Sequence, residues 1–236
     1  MRVAALYDVH GNLPALEAVL VDPRIAEADL IVSGGDLVAG PMPSACLDLL
    51  AGYGSRVRFV RGNADRNVLE HGEMHGGAWC AAELGPERLA VVAEWPLTIE
   101  LDVAGGATFC HATPRFDDDL VTMLTPDDQL AAVLEIAPTH LVVAGHTHMQ
   151  VDRVAGGHRF VVAGSVGRPY EGRQGAFWAL LGEDVELLRT DYDIESAAAA
   201  VRATDFPDAE EHVESLLAPR LPSEVSAYFE AQRRGA

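Results

Sequence analysis

Three short apolar runs near the N-terminus, at residues 3–7, 30–32 and 57–60, each break off into a polar loop that contains glycine. The loops are Asp8-Val9-His10-Gly11-Asn12, Ser33-Gly34-Gly35-Asp36 and Arg61-Gly62-Asn63-Ala64-Asp65. Helix-forming stretches at 13–21 and 43–50 follow the first two, the first with a proline near its start, where a missing N–H costs little. Strand, loop and helix in repetition predict an α/β fold with a mostly parallel sheet and covering helices.

The middle of the chain changes character. Residues 78–93 and 126–136 read as helices, and 141–144 as a strand ending in Gly145-His146-Thr147-His148. Three pairs of apolar or alternating runs flank turn residues: 97–102 with 107–111, 150–154 with 159–162, and 176–181 with 185–189. Each pair predicts a hairpin, so the second half of the fold is expected to turn antiparallel. From Ile194 onward the chain is rich in Ala and Glu and reads as helices broken near Pro207, Pro219 and Pro222. No repeat, linker or composition break divides the 236 residues. The expectation is one domain over 1–236 with a helical extension at about 193–236. A chain of this length buries roughly 70–75% of its unfolded surface and needs no disulfide staples.

Charge narrows the function classes. The 17 basic and 36 acidic residues give a net charge of −19, which disfavours stable nucleic-acid binding and a polybasic membrane anchor. No run of 18 apolar residues and no signal-peptide pattern is seen, so a cytoplasmic protein is expected. Cys46, Cys80 and Cys110 lie far apart, an arrangement that suits reduced thiols. Every basic residue is an arginine; without lysine, Schiff-base chemistry and P-loop phosphate binding are excluded.

The strand ends carry the chemistry. Asp8 and His10 follow the first strand, Asp36 the second, and Asn63 and Asp65 the third. His111 follows the first hairpin, and His146 and His148 follow a later strand. Ligands bind at the carboxyl ends of strands in open α/β sheets. On an extended segment, residues two apart point the same way, so Asp8 with His10, and His146 with His148, can each face one point. Carboxylate, imidazole and amide donors suit Mn, Fe, Co, Ni or Zn. The donors are too many for one ion and fit two ions sharing a carboxylate, the clamp used for phosphoryl transfer to water. Taken singly, each motif is an ordinary turn, a helix cap or a buried histidine. All five in order, each at a strand end, form the signal.

These motifs resemble the calcineurin-like metallophosphoesterases over Met1 to about Arg189. The segments are Asp8-Val9-His10-Gly11-Asn12, Gly34-Gly35-Asp36, Gly62-Asn63-Ala64-Asp65, Cys110-His111-Ala112 and Gly145-His146-Thr147-His148. Ala163-Gly164-Ser165-Val166-Gly167-Arg168-Pro169 and His111-Ala112-Thr113-Pro114-Arg115 are similar to segments of the small bacterial and archaeal phosphodiesterase branch. The resemblance implies two mixed β-sheets packed as a sandwich flanked by helices. It also implies that Asp8, His10, Asp36 and His148 hold one metal, and that Asp36, Asn63, His111 and His146 hold a second, with Asp36 bridging. Two divalent ions, Mn or Fe favoured over Ni, Co or Zn, would then support attack of a metal-bound hydroxide on the phosphorus of a diester or monoester. Asp36, Asn63 and His111 are the expected catalytic residues. Asn12, Asn63, Arg115 and Arg168 are the expected substrate-binding residues, with Arg173 a further candidate.

One position departs from the family pattern. Many members carry a histidine after the asparagine, usually given the task of protonating the leaving oxygen; here it is Ala64. The expectation is good turnover only on activated or diester-like substrates, or protonation of the leaving oxygen by water or another residue. Arg61 and Arg66 read as salt-bridge partners, and Asp65 as a helix cap or supporting residue. Asp117, Asp118 and Asp119 read as a solvated loop, and His71, His75, His140, His158 and His212 as structural or surface residues. A serine/threonine protein phosphatase or dinucleoside tetraphosphatase is the rival enzyme, and a binding scaffold like the retromer subunit is the rival of another class. The expected partner is a small phosphate ester, nucleotides included, with no membrane and with self-association through the C-terminal helices as an option.

Overall fold

Residues 3–6 form a strand whose neighbours all lie under cover, because its two faces belong to different cores. In the computed structural model, which describes residues 1–233, Val3, Ala5 and Tyr7 enter a core between two sheets, while Ala4 and Leu6 enter a core under helices. Alternation with period two places successive side chains on opposite faces, so a strand buried on both sides must be apolar throughout.

The first sheet contains β1 (Val3–Leu6), β2 (Leu30–Ser33), β3 (Val57–Phe59), β9 (Ala176–Leu181) and β10 (Val185–Thr190), in the order β10-β9-β1-β2-β3. The second contains β4 (Thr98–Leu101), β5 (Ala107–Cys110), β6 (Leu141–Ala144), β7 (Gln150–Ala155) and β8 (His158–Ala163), in the order β4-β5-β6-β8-β7. Both sheets are mixed. β1, β2 and β3 run parallel, with β9 antiparallel to β1. β5, β6 and β8 run parallel, with β4 and β7 antiparallel at the edges. The three expected hairpins are present, but the second half is not wholly antiparallel. A long connection returns the chain from β5 to β6 in the same direction and keeps a parallel centre.

Phe109, Val143, Val161 and Leu181 join β1 in the core between the sheets. Helices α1 (Leu13–Leu20), α3 (Pro43–Ala51) and α5 (Gly77–Ala93) cover the outer face of the first sheet, and α6 (Asp127–Leu134) covers that of the second. Two short helices escape the sequence pattern. Helix α2 (Pro23–Ala26) starts at a capping Asp22, and α4 (Asn63–Leu69) starts inside the third motif loop. Helix α5 is kinked at Gly85, whose φ of 68° and ψ of 172° are not helical, directly before Pro86. Proline disfavours the helical conformation in the residue before it, and glycine accepts the alternative.

The C-terminal helices α7 (Ile194–Arg202), α8 (Ala209–Leu217) and α9 (Pro222–Gln232) pack onto the sandwich. Glu211 on α8 pairs with Arg168 at 3.0 Å, Phe229 on α9 meets the edge of Tyr170, and Phe206 lies against Gly76. Residues 234–236, the end of the expected extension, lie outside the described residues. Among those described, no helix is long and apolar enough to cross a membrane. The three cysteines are buried free thiols.

Candidate metal centre

The polar loops that end β1, β2, β5 and β6 converge at one end of the sandwich. Two groups of ligand atoms result, with every atom of a group within 4.8 Å of the others: Asp8, His10, Asp36 and His148 in one, Asp36, His111 and His146 in the second. Asp36 belongs to both. Its Oδ2 lies 3.6 Å from His10 Nε2 and 3.3 Å from His111 Nε2, while its Oδ1 accepts a hydrogen bond from the Ala64 N–H at 2.8 Å. Asp8 Oδ1 lies 3.5 Å from His148 Nε2 and 3.8 Å from His111 Nε2. Asn63, the first residue of α4, brings its Oδ1 to 3.1 Å from His111 Nε2.

The loop backbones are bent to aim these groups. Asp8, His10, Asp36, His146 and His148 all have positive φ, between 45° and 68°. Such conformations are sparsely populated by residues other than glycine and persist only where the surroundings enforce them. The sequence expectation rested on extended geometry for the Asp8–His10 and His146–His148 pairs, and that geometry is not the one found. Asp8 and His10 still meet in one group, but His146 and His148 separate, His148 to the first and His146 to the second. Glycine supplies the close approach these turns need. A Cβ on Gly62 would stand 2.2 Å from Asp36 Oδ1, and one on Gly145 would stand 2.6 Å from Asp8 Oδ2.

Three imidazoles are anchored through Nδ1. The Nδ1–H of His10 donates to the Ala39 carbonyl at 3.2 Å, that of His111 to Gly34 at 3.0 Å, and that of His148 to Arg168 at 2.7 Å. Each presents Nε2 to the cluster, as metal-ligating histidines are held. Tyr170 stacks on His148 with centroids 5.0 Å apart and fixes its plane.

The donor set fits divalent ions. Asp8 Oδ1 and His146 Nε2 are buried without a hydrogen-bond partner among the described residues. His10 Nε2 and His148 Nε2 approach to 3.1 Å, and with each Nδ1–H given to a carbonyl neither neutral ring has a proton to donate to the other. Buried polar atoms are normally paired, and these orphans belong one to each of the two donor groups. Burial, outweighing the attraction of Asp36, holds His10 neutral well below its ordinary value. Burial and the charge of His111 lower His146 to about 4. Burial works against His111 too, but the charge and hydrogen bond of Asp36, then Asp8, outweigh it and push His111 up to about 10. Burial likewise opposes ionisation of Asp36, and the imidazoles of His111, His10 and His146 overcome it, keeping Asp36 a carboxylate.

Asp65 is the scaffold beneath the second loop. It stands in the first turn of α4 and is fully buried. Oδ2 accepts the N–H groups of Asp36 and Gly62, and Oδ1 those of Leu37 and Val38. One side chain therefore caps its own helix and fixes the loop that carries Asp36.

Other expected residues fall into place differently. Asn12 reads from the sequence either as a donor to phosphate or as a residue that fixes its loop by hydrogen bonds, and its amide is committed to the second. It donates to the Gly167 carbonyl and the Tyr192 hydroxyl and accepts from the Ala15 N–H, so it caps α1 and ties down the loop instead. Arg168 is paired with Glu211, and its charge acts on His10 and His75. Arg115 is exposed on the loop past His111. Arg173 lies over the Phe177 ring at 5.2 Å. Arg66 forms the expected ion pair, with Asp117 and Asp118, which makes Asp117 less of a solvated loop residue than expected. Arg61 forms none among the described residues, and its Nε is buried without a partner. His75, expected as a structural or surface residue, stands beside the centre with its ring centroid 6.1 Å from that of His10. No sequence motif marks it; the turn that delivers it is set by tertiary packing.

Residues 1–183 match the calcineurin-like phosphoesterase superfamily domain. An uncharacterised protein of Methanocaldococcus jannaschii is 26% identical, with 87% of this chain and 94% of that protein covered. A metallophosphoesterase from Sphaerobacter thermophilus superposes with a TM-score of 0.78 at 26% identity, covering 93% of this chain and 99% of that one. A hypothetical protein from Pyrococcus horikoshii shares the fold at a TM-score of 0.80 and 18% identity, with the same coverage.

Proposed function

The chain belongs to the calcineurin-like phosphoesterase superfamily, and from that premise we propose that it hydrolyses phosphate esters with two divalent metal ions. The supporting observation is the pair of buried donor groups that share Asp36 Oδ2. In this reading Asp8, His10, Asp36 and His148 hold one ion, and Asp36, Asn63, His111 and His146 hold the other. Such ions supply a water activated at neutral pH and positive charge that offsets the phosphate. Manganese or iron suits the mixture of imidazole and carboxylate.

The chain's own groups prepare the site. The carbonyls of Ala39, Gly34 and Arg168 hold three imidazoles by Nδ1, turned so that Nε2 faces the cluster. Asp65 fixes the loop of Asp36, and the Ala64 N–H holds Asp36 Oδ1 so that Oδ2 faces the cluster. The Ala64 side chain is buried and offers no proton donor. Esters with good leaving groups, diesters of nitrophenol among them, are the favoured substrates on that ground.

The test is a hydrolysis screen of mono- and diesters with Mn, Fe, Co, Ni and Zn supplied in turn, run beside elemental analysis of the protein. Hydrolysis that appears with metal and disappears with a chelator is expected. Failure on every ester with every metal at full occupancy would overturn the proposal.

A further inference from the structure

Beside the ligand cluster lies a histidine that the cluster does not use. His75 occupies the turn between α4 and α5, half-buried, with its ring tilted 58° to that of His10 and the centroids 6.1 Å apart. Burial, then the charge of Arg168, lowers its pKa. The nitrogens of its imidazole find no hydrogen-bond partner among the described residues, whereas His10, His111 and His148 each anchor Nδ1 to a carbonyl.

The backbone sets His75 apart from a chance neighbour. Among the described residues, eight that are not glycine have positive φ, and five of them are Asp8, His10, Asp36, His146 and His148. His75, at φ 50° and ψ 36°, adopts the same conformation. Strained residues of this kind cluster where a side chain must be aimed. The turn is held from several sides. Gly72 N–H donates to the Asn67 carbonyl at 2.8 Å, and Ala78 N–H to the Gly72 carbonyl at 2.9 Å. Gly76 continues the left-handed path, and a Cβ there would stand 2.6 Å from Phe206 Cε2, so the C-terminal segment presses directly on this turn. A ring delivered by a strained, braced turn, with free nitrogens at the rim of a polar centre, is placed to meet a ligand.

We propose that His75 is a catalytic residue that contacts the substrate, its imidazole N–H donating a hydrogen bond to an oxygen of the phosphate ester at the neighbouring centre. This rests on the phosphoesterase reading given above. The neutral ring suffices, because one nitrogen of a neutral imidazole always carries a proton. A ring that only fills space against His10 would contribute to packing and leave phosphate affinity alone.

His75→Ala and His75→Gln in the full manganese-loaded protein test this. Inorganic phosphate is titrated calorimetrically, metal content is measured, and kcat and KM are determined for a nitrophenyl diester. Loss of one hydrogen bond predicts phosphate binding weaker by about five- to tenfold in the Ala variant. Metal content should match the parent, and Gln, whose amide also donates, should recover most of the loss. Phosphate affinity within twofold of the parent in His75→Ala would overturn the inference, as would loss of metal from both variants. A parent protein that holds manganese yet binds no phosphate and hydrolyses no ester would overturn the phosphoesterase reading itself. That outcome is visible before any variant is made.

Discussion

Asp65→Asn is an isosteric change that separates two opposing influences on one buried carboxyl. Burial and the neighbouring charge of Asp36 push Asp65 up to about 7, against the pull of the Val38 and Gly62 N–H groups. If those first two influences governed, the neutral amide would be a harmless replacement at pH 7. The hydrogen bonds argue the opposite. Four backbone N–H groups, at 2.8, 3.0, 3.0 and 3.0 Å, divide evenly between the two oxygens. An amide has one oxygen, so either rotamer sets its NH₂ against two N–H donors. Each donor left unsatisfied costs about 1–3 kcal/mol, and two cost about 3 kcal/mol toward the low end of that range. For a chain of this length that lowers Tm by roughly 6–12 °C. Urea unfolding of chelator-treated parent and variant measures the loss free of metal linkage. A lower midpoint at unchanged slope is expected. The reloaded variant should also bind metal more weakly, because the loop that presents Asp36 loses its tether. A variant as stable as the parent at pH 7 would refute the reasoning and show that burial, not the four donors, sets the state of Asp65.

The remaining predictions concern the packing around the centre. Burial, then the charges of Arg168 and His148, keeps His212 neutral well below its ordinary value. The folded protein therefore holds fewer protons than the unfolded chain below pH 6.5, and stability falls as pH drops, by up to about 1.4 kcal/mol per pH unit for one histidine. His212→Gln should lose less stability than the parent between pH 6.5 and 5.5, by about 1 kcal/mol; parallel unfolding curves would contradict it. Phe229→Ala removes the edge contact with Tyr170, which stacks on His148, and should cost roughly 2–4 kcal/mol by thermal unfolding while leaving metal content unchanged. Tyr7→Phe removes the hydroxyl that donates to the Val143 carbonyl at 2.8 Å and joins the two sheets, and should cost about 1 kcal/mol in urea unfolding.

Much of this architecture was legible because strand ends and glycines punctuate the sequence. The apolar runs of β1, β2 and β6, each stopped by a polar loop, located both the sheets and the ligands. What stayed hidden depended on contacts between distant segments. The parallel centre of the second sheet follows from a long return between β5 and β6 that hairpin signals do not reveal. The parting of His146 from His148, which the family resemblance implied, was hidden from spacing alone: both residues have left-handed backbone, whereas alternation presumes extended chain. Asn12 is a cap whose partners Gly167 and Tyr192 come from far along the chain. His75 sits in no motif, and its place beside His10 depends on a turn braced by Phe206. Asp65 was readable as a cap, but the three N–H groups it takes from the Asp36 loop were not.

The central claim is that two ions share Asp36. Elemental analysis of the manganese-loaded parent and of Asp36→Asn, normalised to protein concentration, tests it directly. The account predicts two ions per chain in the parent and a clear loss from the variant, because the carboxylate oxygen between His10 and His111 belongs to both donor groups. Two ions retained by Asp36→Asn, or no more than one ion bound by the saturated parent, would contradict it.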